Sequence, residues 1–349
     1  MGTVKFVMSR VAVVLKVVSA VFKDVSAVVL TSISLAALCI INAHAVTRMP
    51  LNLKGFAEPA GSISILETGN IVDPYFTLQA LLLARENGLD ISMYDEKWAD
   101  WLIARQRLDG SFDRFCRTGP IWLGCKSADA DDALLAIWLK FLDSMPRQLA
   151  EKPGWRKSYD AAAKTLAQLQ DPKRGVYIVS ALFPHGLFMD NLEIWSYKTT
   201  RSGYSQSLEA REFARAIRST FWDTKSSRFL VSTQAGQKEL SHTFYPEHVA
   251  QIFPLLFDFP LLPDDSHRYY QQWMKLHRAN WLEQVKTDYA WGLLAFLAWK
   301  ERDRTSAQCW LRESLPYQQT GHWTVTDEVV AQILAKNGLV AAAANTVCR

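Results

Sequence analysis

Gln106-Arg107-Leu108-Asp109-Gly110-Ser111-Phe112 and Gln170-Asp171-Pro172-Lys173-Arg174-Gly175-Val176-Tyr177 are two versions of one turn. Asp-Gly and Asp-Pro stop a helix, and the glycine takes the left-handed conformation that other residues avoid. An aromatic or apolar residue follows and re-enters the packed layer. Thr320-Gly321-His322-Trp323 is a third version.

Outward from these turns, apolar residues recur at helical spacing. The pattern covers 75–87, 95–107, 130–145, 155–170, 187–198, 207–221, 246–257, 267–282, 288–302, 306–315 and 327–337. Strand-like alternation is confined to 228–233 and 175–179. The spacing therefore predicts an all-α chain of five and a half helical hairpins with short β elements in loops. Recurring hairpins bury their apolar faces against their neighbours. About six of them close into an (α/α)6 toroid; the alternative is an open array.

The chain has 349 residues, 49% hydrophobic and 21% charged, within the range of folded globular proteins. Its first 45 residues read differently. Lys5, Arg10, Lys16 and Lys23 precede the apolar run Ser26–Ile41, and Ala43-His44-Ala45 follows as a small-x-small cleavage site. That order predicts a signal peptide over 1–45 and a periplasmic or secreted domain over 46–349. The alternative is a retained anchor, the only membrane contact expected, because the run approaches the roughly 20 residues a span needs. Without that segment 35 Lys/Arg face 34 Asp/Glu, which argues against a nucleic-acid partner. Cys116, Cys125, Cys309 and Cys348 then remain, an even number for an oxidising compartment. Cys116 and Cys125 bracket a short loop and suit a local disulfide; Cys309 with Cys348 is the weaker pairing.

Gly-x-Ser-x-Gly, His-Glu-x-x-His, phosphate-binding and dinucleotide motifs are all missing from the sequence. His185, His242, His248 and His322 lie scattered at loops or helix starts and read as hydrogen-bonding residues. No metal and no cofactor are expected. Carboxylates are more informative. Asp129, Asp131 and Asp132 crowd one helix start in Lys126-Ser-Ala-Asp129-Ala-Asp131-Asp132-Ala-Leu-Leu-Ala. One carboxylate serves a helix N-terminus; three repel one another unless something else needs them.

This run resembles the Ala-Ser-Asp-Ala-Asp helix start of glycoside hydrolase family 8, which includes the periplasmic endoglucanases of cellulose-synthesis operons. Glu67-Thr-Gly-Asn is similar to the family's Glu-Gly-Gln segment but lacks its Gly-Gln. Tyr245-Pro246 within Ser241–Phe253 resembles the segment that carries a substrate-binding tyrosine. Thr287-Asp288-Tyr289-Ala-Trp291 resembles Tyr-Asp-Ala-x-Arg, without its arginine. The resemblance implies a six-hairpin toroid and an inverting, endo-acting β-glycan hydrolase of the cellulase type, acting on an exopolysaccharide. It makes Glu67 the general acid and Asp288 the general base. Asp129 and Asp131 would hold sugar hydroxyls, and an exopolysaccharide-secretion machinery is the implied partner. Glu67 stands among Ile63, Ile65, Leu66 and Ile71, an apolar setting that suits a proton donor. Asp190 and Glu193, in Met189-Asp190-Asn191-Leu192-Glu193, are the alternative catalytic groups or simple helix caps.

Trp122, Tyr245, Trp291 and Trp323 lie at loops or helix starts and are candidate platforms for sugar rings, against a core role for each. Two other function classes stay open. A polysaccharide lyase would use Tyr245 with His242 or His248. A non-catalytic glycan-binding or assembly protein is compatible with degenerate motifs.

Overall fold

In the computed structural model, residues 48–238 and 243–348 are described. The expected signal segment 1–45 and His242 lie outside them. Among the described residues no helix is long and apolar enough to cross a membrane.

The eleven expected helical segments all carry helix. They are α1 (Pro74–Glu86), α2 (Asp95–Ile103), α3 (Asp131–Asp143), α5 (Pro153–Gln168), α6 (Phe188–Thr199), α7 (Leu208–Phe221), α8 (Val249–Ile252), α9 (Ser266–Glu283), α10 (Gly292–Lys300), α11 (Arg304–Ser314) and α12 (Val325–Lys336). A one-turn α4 (Arg147–Ala150) completes the set, and the protein is mostly helical.

Two kinds of helix alternate. In α7, Ala210, Phe213, Ala214, Ile217 and Phe221 are buried and the opposite side is wet. That is a stripe laid on a single partner. In α1, Leu78, Leu81, Leu82 and Leu83 are all buried, and in α3 the chain is buried from Asp132 through Leu139. A helix apolar all round needs neighbours on every side. Helix α1 accordingly packs on α3 and α12; α3 packs on α5 and α6; α6 packs on α7 and on the 3-10 turn Phe253–Phe257; α10 packs on α11 and α12. Lys300, at the end of α10, ties that helix to Asp258 at 2.8 Å. Each fully buried leucine in these contacts contributes about 1.5–3 kcal/mol relative to exposure.

Two short strands, β1 (Met49–Pro50) and β3 (Leu89–Asp90), pair in parallel. The longest strands were not expected. β4 (Asp113–Thr118) and β5 (Ile121–Ser127) form an antiparallel hairpin, turned at Gly119-Pro120, and β4 also pairs with β2 (Ile71–Val72). Of the hairpin's side chains only Phe115 and Trp122 are buried, so the apolar alternation that marks a strand is faint. Cys116 and Cys125 are disulfide-bonded across it, and Cys309 is bonded to Cys348. The alternating stretch 228–233 is reduced to β7 (Arg228–Phe229) beside β6 (Trp222–Asp223), and 175–179 to one bridge at Tyr177.

Two helix starts differ from expectation. The segment at 246–257 is broken: Tyr245 is extended (φ −111°), α8 is four residues long, and Pro254 begins a 3-10 turn. Helix α10 starts at Gly292 rather than Asp288, because Trp291 is left-handed (φ 54°) and ends the preceding loop. A Cβ on Gly292 would meet Asp327 Oδ1 at 2.8 Å and Trp310 at 3.0 Å, so the position accepts only glycine.

Candidate functional site

The N-terminal ends of α1, α3 and α6 bring together a group of acids, most of them buried. Asp73 is the N-cap of α1: its Oδ1 accepts from the Tyr75 amide at 3.0 Å and its Oδ2 from Arg114 Nε at 2.6 Å. Asp132 lies in the first turn of α3 and is 0% exposed. Asp190 lies in the first turn of α6, and Glu193, one turn further, is 3% exposed. The Tyr75 hydroxyl donates to Glu193 Oε1 and accepts from Gln79 Nε2 at 3.1 Å. Gln79 in turn accepts from Thr326 of α12 at 3.4 Å.

Two of these acids are short of donors. Asp132 Oδ1 accepts from the Ala133 amide, but Asp132 Oδ2 and Asp190 Oδ2 are buried and take no bond from any N–H or hydroxyl. The charge of Asp132 acts on Asp190, so the two carboxyl groups do not readily ionise together. Burial, and then the charge of Asp131, drive Asp132 up to about 7. Burial and the charges of Asp132 and Glu193 drive Asp190 well above the carboxylate range. Glu193 is pushed up to about 8, chiefly by burial. At neutral pH the group is therefore a store of protons.

Near it stands Tyr245, 51% exposed. Burial of its hydroxyl, then the charges of Asp190, Asp129, Glu193 and Asp288, push that hydroxyl up to about 12. One phenol thus feels both the α6 acids and Asp288. Asp288 lies four residues before α10, so it is no helix cap. Its Oδ2 accepts from Trp291 Nε1 at 3.3 Å, and its carbonyl is 2.7 Å from His322 Nδ1. The Trp291 ring lies 5.0 Å from that of Tyr245, tilted 33°. The pair offers aromatic surface beside the acids.

The other expected residues are placed as follows. Glu67 packs against the loop at Gly55, where an added Cβ would meet its Cγ at 2.6 Å; among the described residues no hydrogen bond or ion pair joins Glu67 to the acid group. Asp129 has an 85% exposed side chain and pairs with Arg114 at 3.4 Å. It does not cap α3, whose first free amides, those of Asp131 and Asp132, donate to the Val179 carbonyl instead. Asp131 is driven up to about 6 by burial and by Asp109 and Asp113, so it answers to the loop at 107–113 and not to Asp190. Trp122 is buried, with Nε1 on Glu58 at 2.9 Å and Arg117 over its ring. Trp323 is buried against Trp310, with Nε1 on Glu328 at 3.0 Å. Rings so covered have no face left for a sugar.

His185 contacts Gln234, and His248 stacks on His277 with centroids 4.1 Å apart. Among the described residues no group of His, Cys, Asp and Glu is arranged to hold a metal.

Sequence reading missed Asp132, Tyr75, Gln79, Asp73 and Arg114. The triple aspartate was the usable signal for Asp132, the least exposed of the three. Asp73-Pro74 signals a helix start and nothing more.

No protein-family model matches the chain, and no curated protein matches it.

Proposed function

We propose that the protein is an inverting hydrolase of a neutral glycan. The observation that supports this best is the single phenol of Tyr245, which the charges of Asp190, Glu193 and Asp288 all reach. Inverting hydrolysis needs one protonated carboxyl group, one carboxylate, and room for a water between them, roughly 6.5–9.5 Å.

Asp190 is the better acid than Glu67. It is held protonated by its surroundings, whereas Glu67 has no contact with the group. Glu193 is nearly sealed off and holds its own proton, so it does not meet the substrate itself. In the reaction, Asp190 gives its proton to the glycosidic oxygen as the C1–O bond breaks. Water adds to C1 from the opposite face and loses a proton to Asp288. The new C1–OH has inverted configuration. Asp190 then recovers a proton through Asp132. Asp129 holds sugar hydroxyls, and Tyr245 with Trp291 stacks on a sugar ring.

The order of helix neighbours supports a closed toroid. From α1 the contacts run to α3, α6, the turn at 253–257, α10 and α12, and α12 packs back on α1. All the acids named above lie at one end of these helices, where a toroid has its cleft. A uronan lyase is disfavoured. It needs a cation free to neutralise the uronate, and Arg114 is already shared by two aspartates. Export as a periplasmic or secreted enzyme, with an exopolysaccharide as substrate and its secretion machinery as partner, completes the reading.

The test is a reducing-end assay over β-glucans, xylan, chitosan and uronans, with far-ultraviolet absorbance followed in parallel. New reducing ends without unsaturated products are expected. Asp190→Asn and Asp288→Asn should each lower turnover by roughly 10²–10⁴-fold, with the urea midpoint nearly unchanged. Unsaturated products would establish the lyase, and binding without any product the non-catalytic protein. Loss of turnover in Glu67→Gln but not in Asp190→Asn would return the acid role to Glu67.

A further inference from the structure

We infer that Arg114 is a positioning residue whose forked guanidinium, carried on the β4–β5 hairpin, joins Asp73 at the start of α1 to Asp129 at the start of α3 and so sets where Asp129 meets the substrate. The inference rests on the hydrolase reading given above.

The two ion pairs differ in kind. Asp73 is buried, and both its oxygens are in use, one for the helix cap and one for Arg114 Nε at 2.6 Å. Removing its counter-charge would leave a buried carboxylate alone, a costly change. Asp129 is at the surface, and its partner is a different nitrogen, Nη2, at 3.4 Å. An exposed pair of that kind adds about 0–1 kcal/mol to stability, so stability does not explain it. What it supplies is direction. A surface aspartate samples several rotamers, and among the described residues Arg114 is its only ion-pair partner.

The hairpin gives the arginine a rigid base. Arg114 pairs with Lys126, the strand has a bulge between Arg114 and Phe115, and Cys116–Cys125 closes the two strands just beyond it. A bulge next to a site commonly re-aims a side chain. Guanidinium chemistry is needed here, since a lysine is a point charge and cannot serve two carboxylates through separate nitrogens.

Arg114→Lys is the decisive variant, because it keeps a positive charge for Asp73 and gives up the fork. On whichever glycan the wild type cleaves, kcat should fall by about tenfold or more, as small misplacements of reacting groups do, while the urea midpoint stays close to wild type. Asp129→Asn should show the same loss. The double variant should be no worse than the poorer single one, since both remove one interaction. Wild-type kcat in Arg114→Lys, or losses that multiply, would overturn the inference. Retardation of each protein in gels cast with the same glycans gives a second readout. If the wild type is retarded but cleaves nothing, the hydrolase reading fails, and weaker retardation of Arg114→Lys still upholds the positioning role while unchanged retardation overturns it. A wild type that neither cleaves nor is retarded overturns both.

Discussion

Asp132 and Asp327 are both buried aspartates in the first turn of an inner helix, on either side of α1, and they are used in opposite ways. Asp327 closes a capping box. Its Oδ2 accepts from the Thr324 amide at 2.9 Å and the Thr324 hydroxyl at 2.7 Å, and its Oδ1 accepts from the Gly292 amide at 2.7 Å. Asp132 has one amide on Oδ1 and, among the described residues, no hydrogen-bond partner on Oδ2. The first carboxylate is paired with donors and joins two helices, α10 and α12. The second is kept short of donors, and burial raises its carboxyl to about 7. Strained or under-satisfied groups concentrate at functional sites.

Replacing each aspartate sharpens the contrast. Asp327→Ala strips three donors of their partner and should cost about 2–5 kcal/mol, measured by urea unfolding, with turnover per folded molecule retained. Asp132→Asn should do the reverse: the amide can donate to Asp190, so stability at pH 8 is unchanged or higher, while turnover falls. A large loss of stability in Asp132→Asn with full turnover would make the two sites alike and break the comparison.

The pH dependence is the next largest effect. Glu193 is raised from 4.5 to about 8 and Asp132 from 3.8 to about 7. The folded protein therefore holds protons that the unfolded chain has lost. Their contribution to stability is fully present below about pH 4 and is lost as pH rises toward 7–8, at up to about 1.4 kcal/mol per pH unit for each group. Glu193→Gln should flatten that fall between pH 4.5 and 8 in a series of unfolding curves. Parallel curves for wild type and variant would mean that Glu193 is not protonated in the fold.

The smallest effect lies away from the acids. Burial, and then the His248 ring stacked on it, lower His277 from 6.5 to about 4. An unfolded chain binds that proton first, so stability from this group is present above pH 6.5 and is lost as pH falls toward 4. His277→Gln should remove the loss over that window, opposite in sign to the Glu193 effect and smaller, because Glu193 is almost wholly buried and His277 is only half-buried. Equal slopes in the two proteins would refute it.

Local chemistry was enough to reveal the helices. The apolar period of 3.6, the Asp-Gly and Asp-Pro stops, and the crowding of Asp129, Asp131 and Asp132 at a helix start are all written within a few residues of one another, and each led to an element that the structure contains. The acid Asp132, the tyrosine Tyr75 beside Glu193, and Arg114 were legible only in three dimensions. Glu193 is 118 residues from Tyr75, and Arg114 is 41 from Asp73. Nothing local tells a capping aspartate such as Asp327 from an under-satisfied one such as Asp132. The difference lies in whether a donor arrives from another helix, Gly292 in one case and none in the other, and only the packing of α10 on α12, and of α3 on α6, decides that.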